Sequence, residues 1–243
     1  MSLRLVNWNV QWATPSPRSR RTPEILRRID QHGPEVVCLT ETHPGLLSPE
    51  GYAICSQADY GSGIREDRRK VVLWSMQPWE NVDDLGDDSL PPGRFVSGVT
   101  RTSLGEVTVV GVCIPWSGSR TGARRAQPMR RWQDHDHYLE GLTKVLGRVS
   151  AQRLIVVGDF NQVIGPVGTA GRKRQAALLG AFPASMTIAT AAIGYEGRRT
   201  IDHIAISADL AAESLGVISH IHGARKLSDH FGVTAALSAR PLR

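Results

Sequence analysis

The sequence predicts an α/β domain of two packed β-sheets flanked by helices. Short apolar runs of strand character recur from end to end of the 243 residues. They outnumber the helical segments, which a purely parallel sheet with one helix per strand does not allow. No Pro/Gly/Ser-rich linker divides the chain, so residues 1–243 read as a single domain. With 41% hydrophobic and 21% charged residues, the composition is that of a globular protein and excludes collagenous, disordered and disulfide-scaffold classes.

Residues 4–10 (RLVNWNV) open the strand series. A helix is expected over residues 22–31, with Thr22 as its cap and Pro23 in the first turn. Strands follow at 35–41 (EVVCLTE), 52–57 (YAICSQ), 70–75 (KVVLWS), 95–102 (FVSGVTRT) and 106–114 (EVTVVGVCI). A second helix is expected over 129–149, where Tyr138, Leu139, Leu142, Val145, Leu146 and Val149 keep an approximate helical period. LIVVGDF at 154–160, a short helix at 172–179, TIDHIAIS at 200–207 and FGVTAALS at 231–238 complete the series. Segments 118–122 and 165–171 read as loops, where site residues on a sheet scaffold tend to sit.

Lys and Arg number 29 against 23 Asp and Glu, a formal charge of +6 that comes almost wholly from arginine. Arginine pairs bidentately with phosphate, so a phosphate-bearing partner fits, although a compositional bias toward arginine gives the same total. Arg120, Arg124, Arg125, Arg130 and Arg131 form one stretch without an intervening acid, and Arg172, Lys173 and Arg174 another. Asp83, Asp84, Asp87 and Asp88 show no ordered ligand spacing and read as a solvated turn. Cys38, Cys55 and Cys113 include no CxxC pair and read as small buried hydrophobes. No apolar run approaches the roughly 20 residues of a membrane span, and MSLRLVNWNV lacks the pattern of a secretory leader, so a cytoplasmic protein without a membrane partner is expected.

Several apolar strands end in polar residues. Asn9 lies inside the first strand, Glu41 ends EVVCLTE, Asp159 and Asn161 follow LIVV, Asp202 and His203 interrupt TIDHIAIS, and Asp229 and His230 precede FGVTAALS. Any one of them alone reads as a turn former, a cap or a satisfied buried group. Together, carboxylates and amides at one end of a sheet offer the hard oxygen ligands that Mg²⁺ or Mn²⁺ prefers. A histidine beside a carboxylate suits contact with a phosphate oxygen or proton transfer. The set points to hydrolytic phosphate chemistry.

In order, NWN (7–9), LTE (39–41), VGDFN (157–161), TIDHIAIS (200–207) and SDHFGV (228–233) resemble the motifs of the endonuclease/exonuclease/phosphatase superfamily, which includes exonuclease III-type and deoxyribonuclease I-like enzymes. The resemblance implies a four-layer sandwich of two packed mixed β-sheets flanked by helices, and a metal-dependent phosphohydrolase. By it, Glu41 is the principal metal ligand, helped by Asn9 and Asp229, and the cofactor is Mg²⁺ or Mn²⁺. Asp159 activates water, Asn161 orients it and donates to the phosphate, and His230, held in its tautomer by Asp202, contacts the phosphate oxygen.

Departures from the family bear on the substrate. Asn9 is followed by Val10, Gln11, Trp12 and Ala13 instead of the Gly-Leu-Arg segment of apurinic endonucleases, and Cys113 stands where relatives carry a tyrosine or histidine that serves as leaving-group acid. The segment after GVCIP, with Trp116, Arg120, Arg124 and Arg125, is the expected substrate-facing loop. Trp12 and Trp74 read as core residues. His135 and His137, two apart in QDHDHYLE, read as a solvated helix start and not as a metal pair. The expected function is phosphodiester cleavage in nucleic acid by a monomer. A phosphatase or phosphodiesterase of a small phosphorylated molecule or inositol phosphate, and a non-catalytic nucleic-acid-binding module, are the alternatives.

Overall fold

The computed structural model of the chain describes residues 2–59, 65–120, 130–166, 168 and 170–240. Its first half contains β1 (Leu3–Asn9), α1 (Thr22–Asp30), β2 (Val36–Thr42), β3 (Tyr52–Cys55), β4 (Arg69–Ser75), β5 (Trp79–Asp83), β6 (Phe95–Thr102) and β7 (Gly105–Cys113). The second half contains α2 (Gln133–Leu146), β8 (Leu154–Asp159), α3 (Gly171–Gly180), β9 (Thr187–Ile188), β10 (Gly194–Tyr195) and β11 (Arg198–Arg199). The chain closes with β12 (Asp202–Ile206), β13 (Leu210–Ile218), β14 (Ile221–His222), β15 (Arg225–Lys226) and β16 (Gly232–Ala239).

Two mixed six-stranded sheets run in the orders β13-β16-β1-β2-β4-β3 and β5-β6-β7-β8-β12-β9. Each contains a parallel pair joined through a helix, β1–β2 through α1 and β7–β8 through α2. The strands alternate side chains between faces, and the apolar clusters follow that period. Leu3 and Leu5 of β1, Val36 and Cys38 of β2, and Val71 and Leu73 of β4 meet Val109, Ile155, Val157, Ile204 and Ile206 in the seam between the sheets. The opposite face of the first sheet, with Val6, Trp8, Val37 and Leu39, packs on Ile25 and Ile29 of α1. The outer face of the second, with Val110, Val112, Leu154 and Val156, packs on Tyr138, Leu142 and Val145 of α2 and Leu178 of α3. Four layers result, as two-faced apolar sheets require.

The inter-sheet stripe turns polar at one end of the seam. In β1 the positions after Leu3 and Leu5 on the same face are Asn7 and Asn9; in β8 Asp159 follows Ile155 and Val157; in β12 Asp202 precedes Ile204 and Ile206. Asn7 is fully buried and its Nδ2 donates across the seam to Gly158 O (3.0 Å) and His203 O (3.2 Å). Gly158 itself is required by close approach, since a Cβ there would lie 1.9 Å from Val112 O.

Several local expectations are corrected. Thr22 is the first residue of α1 and not its cap; its hydroxyl donates to Thr14 O instead (2.6 Å), and Arg21 occupies the cap position without a side-chain bond. The second helix is shorter at both ends than residues 129–149: Trp132, at φ 74, starts it and Gly147 stops it, while Met129 lies outside the described residues. Helix α3 begins at Gly171, inside the expected loop, and runs one residue past Leu179. The strands β5 and β13 and the two-residue hairpin strands lack the apolar alternation that marks the others. Of the cysteines, Cys38 and Cys113 are buried, whereas Cys55 is only half-buried. Asp87 is not merely solvated, for it takes Lys144 of α2 (3.7 Å) and Arg148 just beyond that helix (3.0 Å).

Removing the cross-sheet amide by Asn7→Ala leaves the bridge between Gly158 and His203 unmade. The expected loss is about 1–3 kcal/mol of unfolding free energy in urea titration, and a change within about 0.5 kcal/mol contradicts the role given to Asn7.

Candidate active site

The polar end of the seam gathers residues from both sheets. Asn9 Nδ2 donates to Asp159 Oδ2 (3.1 Å), while Asn9 Oδ1 accepts from the Gln11 backbone N–H (2.9 Å), so the amide has one orientation. Asp159 Oδ1 accepts from the Asn161 N–H (2.9 Å), and Asn161 Nδ2 donates to Ile114 O (2.8 Å). Asp202 pairs opposite Asp159 in the β8–β12 ladder and holds His230 Nδ1 through Oδ2 at 2.6 Å. One ligand atom each from Asp159, Asp202 and His230 lie within 4.8 Å of one another.

The chain before β16 is clamped from below. Ser228 Oγ donates to Asn9 O (2.6 Å) and accepts from the His230 N–H (3.2 Å), and Trp8 Nε1 donates from the core to His230 O (2.8 Å). Asp229 is more open, with its Oδ1 3.9 Å from His230 Nε2. Glu41 takes φ 48, a conformation rare for a long side chain, and its Oε1 lies 2.7 Å from Lys70 Nζ. Its carbonyl accepts from the Trp12 N–H at 2.6 Å. Gln11, Trp12 and Asn161 also have positive φ, so strained backbone concentrates around these side chains.

Burial shapes the charge here. Asp159 is pushed up from 3.8 to about 7, first by loss of solvent and then by the neighbouring Asp202 carboxylate. Burial works against a charged His230, but Asp202, by charge and by hydrogen bond, with Asp159 and Asp229 behind it, raises it to about 10. The imidazole is therefore an imidazolium at neutral pH, with Nδ1–H fixed on Asp202. Asp202 Oδ1 has no hydrogen-bond partner among the described residues. A cluster of buried carboxylates with an unpartnered oxygen, beside an amide and Glu41, is a hard-oxygen donor set that fits a divalent cation.

Trp116 is 58% exposed and Arg120 is exposed, both on the segment that leaves β7. That segment is tied to the site where Ile114 N–H donates to Asp159 O (2.8 Å). Arg124 and Arg125 lie outside the described residues. Cys113 is buried beside Asp159, and burial pushes its thiol up to about 12, so it stays a protonated thiol at neutral pH.

Trp12 is not a core residue: it is half-buried under Arg68 (4.8 Å) and Lys70 (4.9 Å). Trp74 does pack inward, against α1's face of the sheet. His135 is likewise not solvated. It is fully buried, donates from Nδ1 to Pro115 O (2.7 Å) and accepts at Nε2 from Gln162 Nε2 (2.6 Å), with burial keeping it neutral. Lys70 borders the site from outside the motif blocks, while Asn7 and Ser228 lie inside NWN and SDHFGV and were given no role there. For Asn7 the signal was available, since it sits on the same strand face as Asn9.

The sequence matches the Endonuclease/Exonuclease/phosphatase family over residues 6–230. No curated protein sequence matches the chain. Among solved structures, the 3'-5' exonuclease NExo of Neisseria meningitidis is similar with 18% identity and a TM-score of 0.65, covering 98% of this chain and 100% of that one. A humanized D. rerio TDP2 gives 16% identity and a TM-score of 0.66 over 98% and 99% of the two chains. An endonuclease/exonuclease/phosphatase of Beutenbergia cavernae gives 18% and 0.63 over 98% and 72%. At these identities the likeness is one of fold.

Metal-free protein is expected to lose stability as pH rises. The folded state holds the Asp159 proton up to about 7 and the unfolded state only to about 3.8, so stability falls between those values. The His230 contribution is complete below 6.5 and is lost as pH approaches about 10. Asp159→Asn should melt higher than the parent at pH 8 and flatten the curve between about pH 4 and 7 in thermal scans with EDTA. A lower melting temperature at pH 8 contradicts this electrostatic account.

Proposed function

The chain belongs to the endonuclease/exonuclease/phosphatase family, and on that premise we propose that it is a divalent-metal-dependent phosphodiesterase cutting nucleic acid by in-line attack of water on phosphorus. The observation that carries the reading is the pair of buried Asp202 with partly buried His230, 2.6 Å apart, set beside a proton-hungry Asp159. An isolated strand-end carboxylate has many structural uses. An imidazolium fixed at Nδ1, next to a carboxyl poised near neutrality, has few.

Asp159 is the general base: Asn9 and the Asn161 N–H hold its two oxygens, and a value near neutrality matches the task of taking a proton from water. Asn161, fixed by its bond to Ile114 O, keeps a second Nδ2 hydrogen for a phosphate oxygen. His230 presents Nε2 to the phosphate and stabilises the negative charge that grows on its oxygens. Asp202 fixes the ring and keeps it charged. Glu41, Asn9 and Asp229 would hold Mg²⁺ or Mn²⁺. Bound there, the cation supplies Lewis-acid polarisation of the phosphate and charge compensation. Lys70, paired with Glu41, and the exposed Trp116 and Arg120 give the rim a cationic and aromatic character suited to a polynucleotide.

The reading is supported by what the similar structures are. The Neisseria NExo was solved as a 3' phosphatase bound to product DNA hairpin, and D. rerio TDP2 in complex with a single strand DNA product.

The test is hydrolysis of single-stranded and duplex DNA, RNA, abasic duplex, inositol phosphates and bis-p-nitrophenyl phosphate, with Mg²⁺, Mn²⁺ or EDTA. Cleavage is expected with metal only, with nucleic acid preferred, and Asp159→Asn and His230→Ala should each lower the rate by about 10² to 10³ or more. The rate should rise as Asp159 loses its proton and fall toward about 10, and Asp202→Asn should move that alkaline limb toward neutral pH. Salt-sensitive polynucleotide binding with no hydrolysis anywhere in the panel would replace this proposal with a binding module.

A further inference from the structure

We propose that Arg198 and Arg199 form a subsite for a second phosphate group of the substrate, beside the one that is cleaved. The inference rests on the phosphodiesterase reading and adds to it a rule of substrate choice. It starts from a cavity of about 310 Å³ lined by Asp202, Asp229 and His230 and also by Arg198, Arg199 and Val163. His230 and the two arginines thus line one cavity.

The arginines are placed there by a short hairpin. Gly194 pairs with Arg199 and Tyr195 with Arg198, and the turn between them, Glu196 (φ 48) and Gly197 (φ 75), has the two positive φ angles of a tight two-residue loop. Tyr195 anchors the hairpin, with its ring centroid 5.7 Å from Phe231 and 6.2 Å from His220. At its base the Thr200 N–H donates to Ile193 O (3.2 Å), and Thr200 Oγ receives the Asp202 N–H (2.9 Å). Asp202, which holds His230, therefore sits three residues beyond a fixed Arg199.

Both arginines are exposed, and neither makes an ion pair among the described residues. Arg199 spends one nitrogen on Ala192 O (2.6 Å), which aims the side chain and leaves donors over. Asp202, the nearest buried carboxylate in the chain, is already committed to His230. Both arginines line the cavity, and a guanidinium is suited to an oxyanion, which it binds in a fork. The scissile phosphate belongs to His230. The group that fits the arginines is the next phosphate along the same substrate.

The test compares thymidylyl-thymidine, which has one phosphate, with its 5'- and 3'-phosphorylated forms, and with bis-p-nitrophenyl phosphate as a single-phosphate control. For wild-type protein, KM for one phosphorylated form should be about tenfold below that of the parent dinucleotide. The double variant Arg198→Gln with Arg199→Gln should erase that difference and leave kcat/KM on bis-p-nitrophenyl phosphate within about twofold. Arg198→Gln alone, at an exposed hairpin position, should give a partial effect and serves if the double variant folds poorly. Equal KM for all three dinucleotides in the wild type, or a proportional loss on the control diester, overturns the subsite. Calorimetric titration in EDTA separates the two claims. Tighter binding of a phosphorylated dinucleotide that the double variant loses, in a protein that hydrolyses none of them, keeps the subsite and removes the hydrolase; hydrolysis with a single KM does the reverse.

Discussion

The site depends on the register between the two sheets, and that register is held at its polar end by Asn7. Its amide crosses the seam to Gly158 O and His203 O. Those acceptors are the immediate neighbours of Asp159 and Asp202, while Asn7 itself lies two positions from Asn9 on the same strand face. A single buried side chain therefore sets the spacing of three site residues on three strands. A slip of one residue in any of the strands would turn its polar end out of the seam. The apolar stripe below, from Leu5, Val157 and Ile204, provides the burial that makes such a slip costly.

Placing charge at the end of a dry seam has a consequence for chemistry. Asp159 and Asp202 face each other across a ladder, and the desolvation that raises Asp159 also strengthens the pull of Asp202 on His230. At neutral pH the raised Asp159 costs stability while the raised His230 adds to it, and strained backbone stands near both, at Gln11, Trp12, Glu41 and Asn161. A carboxyl raised toward neutrality and an imidazole raised well above it thus sit side by side.

Much of this was legible in the sequence because it follows the strand period. RLVNWNV, LIVVGDF and TIDHIAIS each show an apolar stripe that ends in an amide or a carboxylate, and those residues meet in space. Elements without a stripe were not legible. WENVD in β5 and LAAESLGVI in β13 are edge strands with little to bury, and the hairpins of β10–β11 and β14–β15 are too short to show any period. Local chemistry misled where tertiary contacts decide. His135 looks like part of a charged helix start, yet Pro115 and Gln162 enclose it; Trp12 looks like a core residue, yet Arg68 and Lys70 cover it at the site rim. Lys70 and Glu41 come from different strands, so their pairing is a property of the sheet order and not of any motif.

The central claim is that the polar end of the seam is a built site for a hard divalent cation. It is tested most directly by titrating metal-free protein with Mn²⁺ and counting free ion by electron paramagnetic resonance. The account predicts one tight site per chain, weakened by about tenfold or more in Glu41→Gln and in Asn9→Ala proteins that retain the parent fold. No binding by the parent, or binding that neither substitution alters, would contradict it.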